Sequence, residues 1–357
     1  MATVDLDAIR HNVGLLKPKS SELMAVVKAN AYGHGDAPVA RAALEAGATW
    51  LGVAAIEEGS ALRDAGIDAP ILMLTEYPRG AEREGLEARL TPTLYSDDGL
   101  KALAAASGDP VPVHVKVDTG MHRVGLPPDR VPQFVRAATD AGLVVEGLWT
   151  HFAKAEDLAD SLTARQLDVF RDVVGALHAM GIRPPYLHAG NSAAAIARPA
   201  AHFDLVRVGI AMYGILPGSA LADPGLRPAM TWRSAVAMVK RVPAGEGISY
   251  GHHYRVESDS TIATVAVGYA DGYSRLLSNR AEVVIRGRRL PVAGTVTMDQ
   301  IMVDCGDHPV EPGDTVVLMG AEEDARVTAE DLAAWMGTIP YEVVCGVSDR
   351  VPREYVG

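Results

Sequence analysis

The sequence predicts an α/β protein in which an N-terminal (β/α)8 barrel is followed by a mainly β domain. The chain has 357 residues, more than one hydrophobic core ordinarily serves. From the start to about residue 225, short apolar runs alternate with helix-like spans, which is typical of a barrel of strand–helix repeats. Beyond that point, short β-branched runs are broken by Gly, Pro and Asp. We therefore expect a barrel domain over residues 1–225 and a mainly β domain over residues 226–357.

The barrel domain is predicted to begin with a helix and to continue through eight strands. Apolar residues at three- and four-residue spacing predict a helix over Val4–Leu16. Two later spans carry an amphipathic face of the same period. One consists of Val131, Phe134, Val135 and Ala138, and the other, which ends before Gly181, consists of Leu167, Phe170, Val174 and Leu177. A doubly wound sheet is the alternative, but no glycine fingerprint opens the first strand-to-helix turn. The candidate strands are Leu23–Lys28, Trp50–Ala54, Ile71–Leu74, Leu90–Leu94, Val113–Val117, Val144–Thr150, Tyr186–His188 and Leu205–Val208.

In the second domain, the pattern changes to short strands and one clear helix. Thr328 followed by Asp331 resembles a capping box, and it predicts a helix from about Thr328 to Met336. The predicted strands are Ala235–Val242, Ile262–Val267, Val283–Ile285, Gln300–Val303 and Thr315–Leu318.

Composition and charge narrow the class of function. The net charge of −12 argues against a nucleic-acid partner, because phosphate neutralisation needs clustered Lys and Arg. The start has no signal-peptide pattern, and no apolar run reaches the roughly 20 residues of a membrane helix. Cys305 and Cys345 form neither a metal framework nor a disulfide scaffold. We expect a cytoplasmic protein that acts on a small molecule, without a metal and without membrane contact.

Polar residues follow the predicted barrel strands at their C-terminal ends, where barrel enzymes place their chemistry. Lys28 ends the first strand, inside the segment V-V-K-A-N-A-Y-G-H-G of residues 26–35. A lysine just past a strand is most often a solvated side chain, so this position alone would be weak evidence. The later strands add further basic side chains at the same end: Lys116, Arg123, His151, His188 and Arg207.

The segments after the last two barrel strands predict a phosphate site. Asn191 and Ser192 open a helix-like run, and Gly209 and Ile210 follow strand eight with backbone N–H groups to offer. Asn191 and Ser192 could also form a plain helix N-cap. A lysine across the barrel mouth from a phosphate site suggests pyridoxal phosphate, held covalently by Lys28.

These motifs together make the chain similar to the alanine racemases, a family of fold-type III pyridoxal-phosphate enzymes. The similarity extends from residue 4 to residue 353. The segment of residues 26–35 is highly specific to that family. Further motifs occur in the family's order: Asp118–Gly125, His188–Ser192, Arg207–Gly214, Gly247–Gly251, Gly268–Gly272, Met298–Gln300 and Pro340–Glu342.

The resemblance implies a two-base racemisation. Lys28 corresponds to the lysine that binds the cofactor and acts on one face of the substrate, and Tyr250 to the base on the opposite face, donated by the partner subunit of a homodimer. Racemisation needs two such groups, since a proton removed from one face must be returned on the other. His151, linked to Arg207, corresponds to the pair that supports the tyrosine. Arg207 also corresponds to the arginine at the pyridine nitrogen, where a guanidinium donates without losing its proton.

Other roles follow from the same resemblance. Tyr32, Ser192, Gly209, Ile210 and Tyr341 correspond to phosphate contacts, and Asn191 belongs to the same cofactor motif. His188 corresponds to a brace for Arg207, and Arg123 to the arginine near the ring hydroxyl and the substrate carboxylate. Met298 corresponds to a second substrate contact, Lys116 to a lysine that is often carbamylated, and Tyr269 and Asp299 to the entrance.

The implied function is the interconversion of L-alanine and D-alanine, which supplies D-alanine for peptidoglycan. A serine or broad-specificity racemase is the nearest alternative, followed by a fold-type III decarboxylase and a non-catalytic pyridoxal-phosphate carrier. The sequence departs from the family pattern near the entrance, where Thr295 and Thr297 replace an arginine and a cysteine that are common there. Asp349 replaces an aromatic residue, and His122 replaces the glycine often found before Arg123.

Overall fold

The computed structural model describes all residues 1–357, and by their contacts they form two compact units. The barrel unit consists of residues 7–31 and 36–227, and the β-rich unit consists of residues 1–6, 32–35 and 228–357. The domain boundary predicted after residue 225 stays a prediction. In the structure, residues 1–6 and 32–35 also belong to the β-rich unit. The first strand, β1 (Ala2–Asp5), lies in the second of these units.

Eight parallel strands form the centre of the barrel unit. Two four-stranded sheets have the orders β4-β3-β2-β9 and β5-β6-β7-β8. A bridge between Leu72 and Thr91 joins them on one side, and the amide of Arg207 donates to the carbonyl of Gly190 on the other. The predicted (β/α)8 barrel is therefore confirmed. Its strands are β2 (Glu22–Val26), β3 (Trp50–Val53), β4 (Ile71–Met73), β5 (Thr93–Leu94), β6 (Pro112–Lys116), β7 (Val144–Trp149), β8 (Tyr186–His188) and β9 (Leu205–Val208).

The barrel helices bury the apolar faces that the sequence predicts. In α6, all four residues of the predicted face around Phe134 are buried. In α7, Val173 is buried in place of the predicted Val174, and the helix ends before Gly181, whose φ is +76°. The helices of this unit are α1 (Leu6–Leu16), α2 (Asp36–Glu45), α3 (Ile56–Asp64), α4 (Glu82–Glu87), α5 (Asp97–Ala106), α6 (Val131–Asp140), α7 (Leu162–Ala179) and α8 (Ser192–Ala197).

The β-rich unit contains a nine-stranded sheet. Its main path is β15-β14-β17-β10-β1-β19, and β13 joins it through β10. The strands are β10 (Met230–Val242), β11 (Gly247–Ile248), β12 (Tyr254–Arg255), β13 (Ser260–Val265), β14 (Glu282–Ile285), β15 (Arg288–Pro291), β16 (Ile301–Gly306), β17 (Thr315–Glu322), β18 (Ala325–Val327) and β19 (Arg353–Val356). Two helices, α9 (Ala329–Met336) and α10 (Pro340–Gly346), complete the unit.

In the β-rich unit, one helix was predicted correctly from its capping box, and the N-terminal strand was partly predicted as helix. The capping box before α9 is confirmed, since Thr328 Oγ1 accepts from the amide of Asp331 and the Asp331 carboxylate accepts from that of Thr328. The predicted helix over Val4–Leu16 is wrong in its first two residues. They belong to β1, which pairs antiparallel with β10 and parallel with β19. Distant pairing overrides the local helical spacing there. No helix of the protein has the length and apolar character needed to cross a bilayer.

Candidate active site

Lys28 follows β2 at the start of a left-handed turn. Ala29, Asn30, Ala31 and Tyr32 all have φ between 50° and 53°, in the left-handed region that costs L-residues roughly 1–2 kcal/mol each. Glu58 secures the first residue of this turn, because its carboxylate accepts from the amide of Ala29 at 2.7 Å. Such strain persists where the surrounding structure over-determines it, and it is common at functional sites. Lys28 itself is half-buried beside the neighbouring strand β9.

Arg207 lies on β9, fully enclosed between two histidines. Its Nη1 donates to His188 Nδ1 at 3.1 Å, and its Nη2 donates to His151 Nδ1 at 3.1 Å. Nη2 also donates to the carbonyls of Thr150 and Ala189. Burial lowers the pKa of Arg207 to about 9, which leaves the guanidinium protonated at neutral pH. Burial, and secondly the charge of Arg207, hold the pKa of both histidines well below its usual value, so each stays neutral and accepts on Nδ1.

Lys116 is buried on β6, with its ammonium nitrogen 4.3 Å from the centre of the Trp149 ring. Burial, and then the charges of Arg207 and Arg123, lower the pKa of Lys116 to about 7. A sizeable fraction of this amine is therefore neutral, and hence nucleophilic, at physiological pH. The guanidinium carbon of Arg207 lies 4.7 Å from the same indole ring. Trp149 therefore offers its negative ring face to two cations.

Arg123 is exposed and follows a loop that Asp118 organises. One carboxylate oxygen of Asp118 accepts from the amides of Gly120, Met121 and His122. Burial would raise the pKa of this carboxyl, but the backbone hydrogen bonds outweigh it and lower the pKa. His122, which stands where the family often has glycine, has a φ of 55° and contacts the second carboxylate oxygen at 3.1 Å. This side-chain contact offsets part of the strain of a non-glycine residue at this position.

The predicted phosphate site is a compact backbone loop. Ser192 Oγ accepts from the amides of Gly209 and Ala211, which draws the start of α8 against the segment that follows β9. Ile210 lies between those two amides and is buried. The Asn191 side chain accepts from the amide of Ala194 and so acts as the N-cap of α8, as the simpler interpretation of the sequence allowed. The role of Asn191 toward a cofactor stays a prediction.

In the β-rich unit, Tyr32 and Tyr341 form a ring pair with centroids 6.2 Å apart. Tyr32 is buried, and burial, followed by the proximity of Tyr341, raises its pKa. A neutral phenol is thereby favoured, which can donate a hydrogen bond. The chain reverses here at Gly33, where a Cβ atom would lie 2.2 Å from the carbonyl oxygen of Val344. Only glycine fits at that position.

Tyr250 lies at the tip of the β11–β12 hairpin, and 74% of its surface is exposed. The flanking residues Ser249 and Gly251 have φ of 63° and 74°. The Thr295 hydroxyl donates to the carbonyl of Tyr250 at 3.0 Å, and the Ser249 hydroxyl donates to the carbonyl of Thr295 at 2.8 Å. The threonine that departs from the family pattern therefore secures the tyrosine backbone.

The predicted entrance residues are exposed in the same unit. The amides of Tyr269 and Ala270 donate to the carbonyls of Thr297 and Met298, so the Tyr269 and Met298 segments are held side by side. The Asp299 carboxylate contacts Arg350 at 2.9 Å. Arg350 also approaches Asp271, and this small charge cluster fixes the segment after Met298.

The sequence interpretation missed two residues in the barrel centre. His114 Nδ1 lies 2.8 Å from His188 Nε2, and His114 Nε2 lies 3.7 Å from the Glu146 carboxylate. The one available signal was that His114 precedes Lys116 by two residues and so shares its face of β6. Its partners come from β7 and β8, which no local pattern connects to it. No group of three or more His, Cys, Asp or Glu side chains is arranged to hold a metal ion.

Models of the alanine racemase N-terminal and C-terminal domains match residues 4–217 and 229–355. The chain belongs to the alanine racemase family. Over 100% of its length it is 49% identical to the alanine racemase of Symbiobacterium thermophilum, of which 97% is covered. The alanine racemase of Salinispora arenicola is 46% identical over 99% of this chain and 97% of its own.

Solved structures of the family agree in fold. Alanine racemase from D-cycloserine-producing Streptomyces lavendulae is 44% identical with a TM-score of 0.95, covering 100% of this chain and 96% of its own. Alanine racemase from Bacillus anthracis with bound L-Ala-P is 38% identical with a TM-score of 0.94, covering 100% and 94%. The recognised family and the fold class expected from the sequence are thus both confirmed.

Proposed function

We propose that the protein is an isomerase that interconverts L-alanine and D-alanine with pyridoxal 5′-phosphate, using Lys28 and Tyr250 as its two bases. Family membership over the whole chain is the observation that carries the activity. The enclosed Arg207 with its two neutral histidines supports the choice of cofactor. The product D-alanine would serve peptidoglycan synthesis in the cytoplasm.

The residues of the barrel unit fit the cofactor. Lys28 would bind it covalently, Ser192 and the amides of Gly209 and Ile210 would hold its phosphate, and Arg207 would face its ring nitrogen. Backbone amides next to a short helix suit a phosphate dianion. When bound, the cofactor supplies an electron-withdrawing ring that acidifies the α-C–H bond of the amino acid. The family resemblance assigns Tyr32 and Tyr341 to the same phosphate, and that assignment stays a prediction.

Arg207 would restrain side reactions through its charge. With a pKa of about 9 it keeps its proton at neutral pH, so it would donate a hydrogen bond to the ring nitrogen of a bound cofactor without transferring the proton. An aspartic acid at this place would instead favour ring protonation and stronger electron withdrawal. The arginine therefore favours return of the proton to the same carbon.

The proton transfers are assigned to opposite faces of the substrate. Lys28 accepts the α-proton on one face, and Tyr250 returns or accepts it on the other. His151 accepts from Arg207 on Nδ1, so its Nε2 carries the remaining proton and is the atom available to a phenolate oxygen. Arg123 would bind the substrate carboxylate, and the backbone of Met298 would support it.

Tyr250 is proposed to act in the site of a second copy of the chain. It is held on a fixed hairpin beside the Met298 segment, yet its side chain is largely exposed. A base must be desolvated and oriented to act efficiently, and a partner subunit would provide that environment. Lys116, with a neutral amine fraction, is proposed to react with CO2 to a carbamate that would orient Arg123.

The test combines a spectrum with an activity. The purified protein should be yellow, borohydride reduction should fix the cofactor on Lys28, and circular dichroism of L-alanine should decay faster than that of L-serine. A colourless protein without a bound phosphate ester would overturn the cofactor assignment, and faster loss of the L-serine signal would overturn the substrate assignment.

Tyr250→Phe tests the two-base assignment directly. In deuterated water, the variant should lose α-proton exchange from one enantiomer far more than from the other, because one of the two faces keeps Lys28. Tyr254→Phe, a change of the same kind in the adjoining β12 strand, is the matched control. Equal losses from both enantiomers in Tyr250→Phe would contradict the assignment.

A further inference from the structure

Two hydrogen bonds and one longer polar contact link Arg207, through His188 and His114, to the carboxylate of Glu146 on β7. His188 lies between Arg207 and His114, with contacts of 3.1 and 2.8 Å. Both imidazoles are completely buried. His114 in turn faces Glu146, whose side chain is 28% exposed, across 3.7 Å. These contacts link the buried guanidinium of Arg207 to a carboxylate that is partly exposed to solvent.

The donors of Arg207 fix the direction of every proton along these contacts. A guanidinium only donates, so Nδ1 of His188 must present its lone pair. A neutral His188 then carries its proton on Nε2 and donates to Nδ1 of His114. His114 carries its own proton on Nε2, toward Glu146. Burial, as the largest effect, lowers the pKa of both histidines and keeps them neutral.

The surroundings of His114 are shaped to hold this ring. A Cβ atom on Gly147 would lie 2.3 Å from His114 Nδ1, so glycine makes room for the imidazole. The rings of Trp50 and Tyr186 pack around it with centroids 5.2 and 6.2 Å away. The His188 ring is stacked on Trp149 with an interplanar angle of 8°. These packing contacts restrict the orientation of both imidazole rings.

The charges around Arg207 indicate a role for the Glu146 carboxylate. Arg207 forms hydrogen bonds with two imidazoles and two carbonyls, and none with a carboxylate. The charged groups that act on its surroundings include the cations Lys28 and Arg123, the partly protonated Lys116, and Asp118 beside Lys116. A buried cation needs compensation, and the hydrogen bonds from Arg207 through His188 to His114 bring it under the influence of the Glu146 charge, which lies 3.7 Å from His114 Nε2. Glu146 attracts the His114 proton, which makes His188 Nδ1 a better acceptor for Arg207.

We propose that His114 and Glu146 are positioning residues for the racemisation: through His188 they orient the Arg207 guanidinium and partly compensate its charge. The inference rests on the proposed role of Arg207 toward the cofactor. Neither residue reaches the reacting atoms, so each acts through Arg207 alone.

The first test reads the proton positions in the cofactor-free protein by ¹⁵N NMR of the imidazole nitrogens. Signals of His188 and His114 are assigned by their disappearance in His188→Gln and His114→Phe. We expect both rings to be neutral at pH 7 with the proton on Nε2. A proton on Nδ1 of either ring would overturn the proposal. This readout needs no racemase activity, so it stands apart from the test of the proposed function.

The second test distinguishes the loss of the hydrogen bond to His114 from a change in side-chain packing. His114→Phe keeps an aromatic ring but removes the acceptor, and should lower kcat for L-alanine about tenfold, as expected for one lost buried hydrogen bond, with KM within about twofold. His114→Asn places Oδ1 near the former Nδ1 and should recover most of that loss. Equal kcat in the Phe and Asn variants, at equal thermal stability, would overturn the proposal.

Glu146→Gln keeps the shape and removes the charge, and at a partly exposed site it should fold even if His114→Phe does not. We expect a loss of about threefold in kcat and a shift of the visible absorption band of the bound cofactor, since the charge that acts on Arg207 through His114 and His188 is removed. Glu84→Gln, at an exposed carboxylate on α4, is the matched control. Unchanged kcat and an unchanged band in Glu146→Gln would contradict the role of the carboxylate.

Discussion

Individual residues in the barrel centre owe their protonation states to burial more than to charged partners. Arg207 stays protonated because its ordinary pKa is high enough to absorb the loss caused by burial. The same burial keeps His151 neutral. It lowers the pKa of Lys116 to about 7, so this amine is only partly protonated at neutral pH. One buried environment thus yields a fixed cation, a neutral acceptor and an amine that titrates near neutrality.

Lys116→Met should stabilise the protein at low pH. The pKa of Lys116 in the folded protein, about 7, lies below the ordinary 10.5, so between these values the unfolded chain binds more protons. The free energy of unfolding of the wild type should therefore rise with pH through that window. At pH 6, where the folded protein holds a buried charge, the variant should gain on the order of 1 kcal/mol or more.

Urea unfolding at pH 6, 8 and 10 in CO2-free buffer measures this difference, since carbamate formation would remove the titration. The exposed Lys101→Met is the control and should show no such pH dependence. A difference between Lys116→Met and wild type that is as large at pH 10 as at pH 6 would contradict the lowered pKa.

Thr295→Val should lower activity through the backbone of Tyr250. The substitution keeps the branched shape and removes the hydroxyl that donates to the Tyr250 carbonyl. Losing one neutral hydrogen bond of this kind weakens the loop by about 1 kcal/mol, and we expect kcat to fall about fivefold with the cofactor still bound. Steady-state kinetics with L-alanine measures the effect. Thr139→Val on exposed α6 is the control, and an unchanged kcat in Thr295→Val would contradict the coupling.

Among the elements, the left-handed turn after β2 stores strain next to Lys28. Four successive non-glycine residues adopt a conformation that L-residues rarely occupy. Such a turn positions the preceding side chain narrowly, at a cost in stability that the barrel tolerates. The strand before it has ordinary geometry, so the strain is confined to the segment adjoining the candidate base.

Ala29→Gly should stabilise the protein and impair the site. Glycine adopts positive φ without a steric penalty, so the free energy of unfolding should rise by about 1 kcal/mol, measured by urea unfolding. The freed turn should hold Lys28 less narrowly and lower kcat. Ala105→Gly, at an exposed position of α5 with ordinary helical geometry, should instead destabilise by about 1 kcal/mol. Loss of stability in both variants would contradict the strain at Ala29.

Elements with a complete local signal were predictable from the sequence, and those defined by distant partners were not. Strands β8 and β9 agree with their predicted ends to the residue, because short apolar runs there are bounded by turns. The last two residues of strand β1 were assigned to a helix, since the pairing partners of the strand in β10 lie more than 220 residues away. The left-handed conformation of the turn was not predictable, because Asn30 alone among its non-glycine residues favours that region.

At the level of the candidate site, the position of the proposed chemical residues near the C-terminal ends of strands was predictable, and their partners were not. Lys28 follows β2, Arg207 lies one residue before the end of β9, and Ser192 opens α8. His114, Glu146 and Trp149 act across the barrel interior, where contacts depend on strand register. The chemical type of a side chain is visible in the sequence, while its partners are defined by the closed barrel.

For the whole molecule, the exposed group of the β-rich unit argues for a second copy. Tyr250, Tyr269 and Met298 are 74%, 43% and 53% exposed, although backbone hydrogen bonds hold their segments in place. Large apolar or aromatic side chains that are exposed on fixed backbone commonly form interfaces. A homodimer in which this group enters the partner's barrel site would account for their exposure.

Mixing two inactive variants should restore activity if sites are shared. In Lys28→Ala both sites lack one base, and in Tyr250→Phe both lack the other. A mixed dimer has one site with both substitutions and one with neither, so random exchange of equal amounts should give about one quarter of the wild-type activity per dimer. Subunit exchange is verified by differently tagged chains, and a mixture of either variant with itself is the control. Verified exchange without recovered activity would contradict the shared site. Each chain would then have to supply Tyr250 to its own active site.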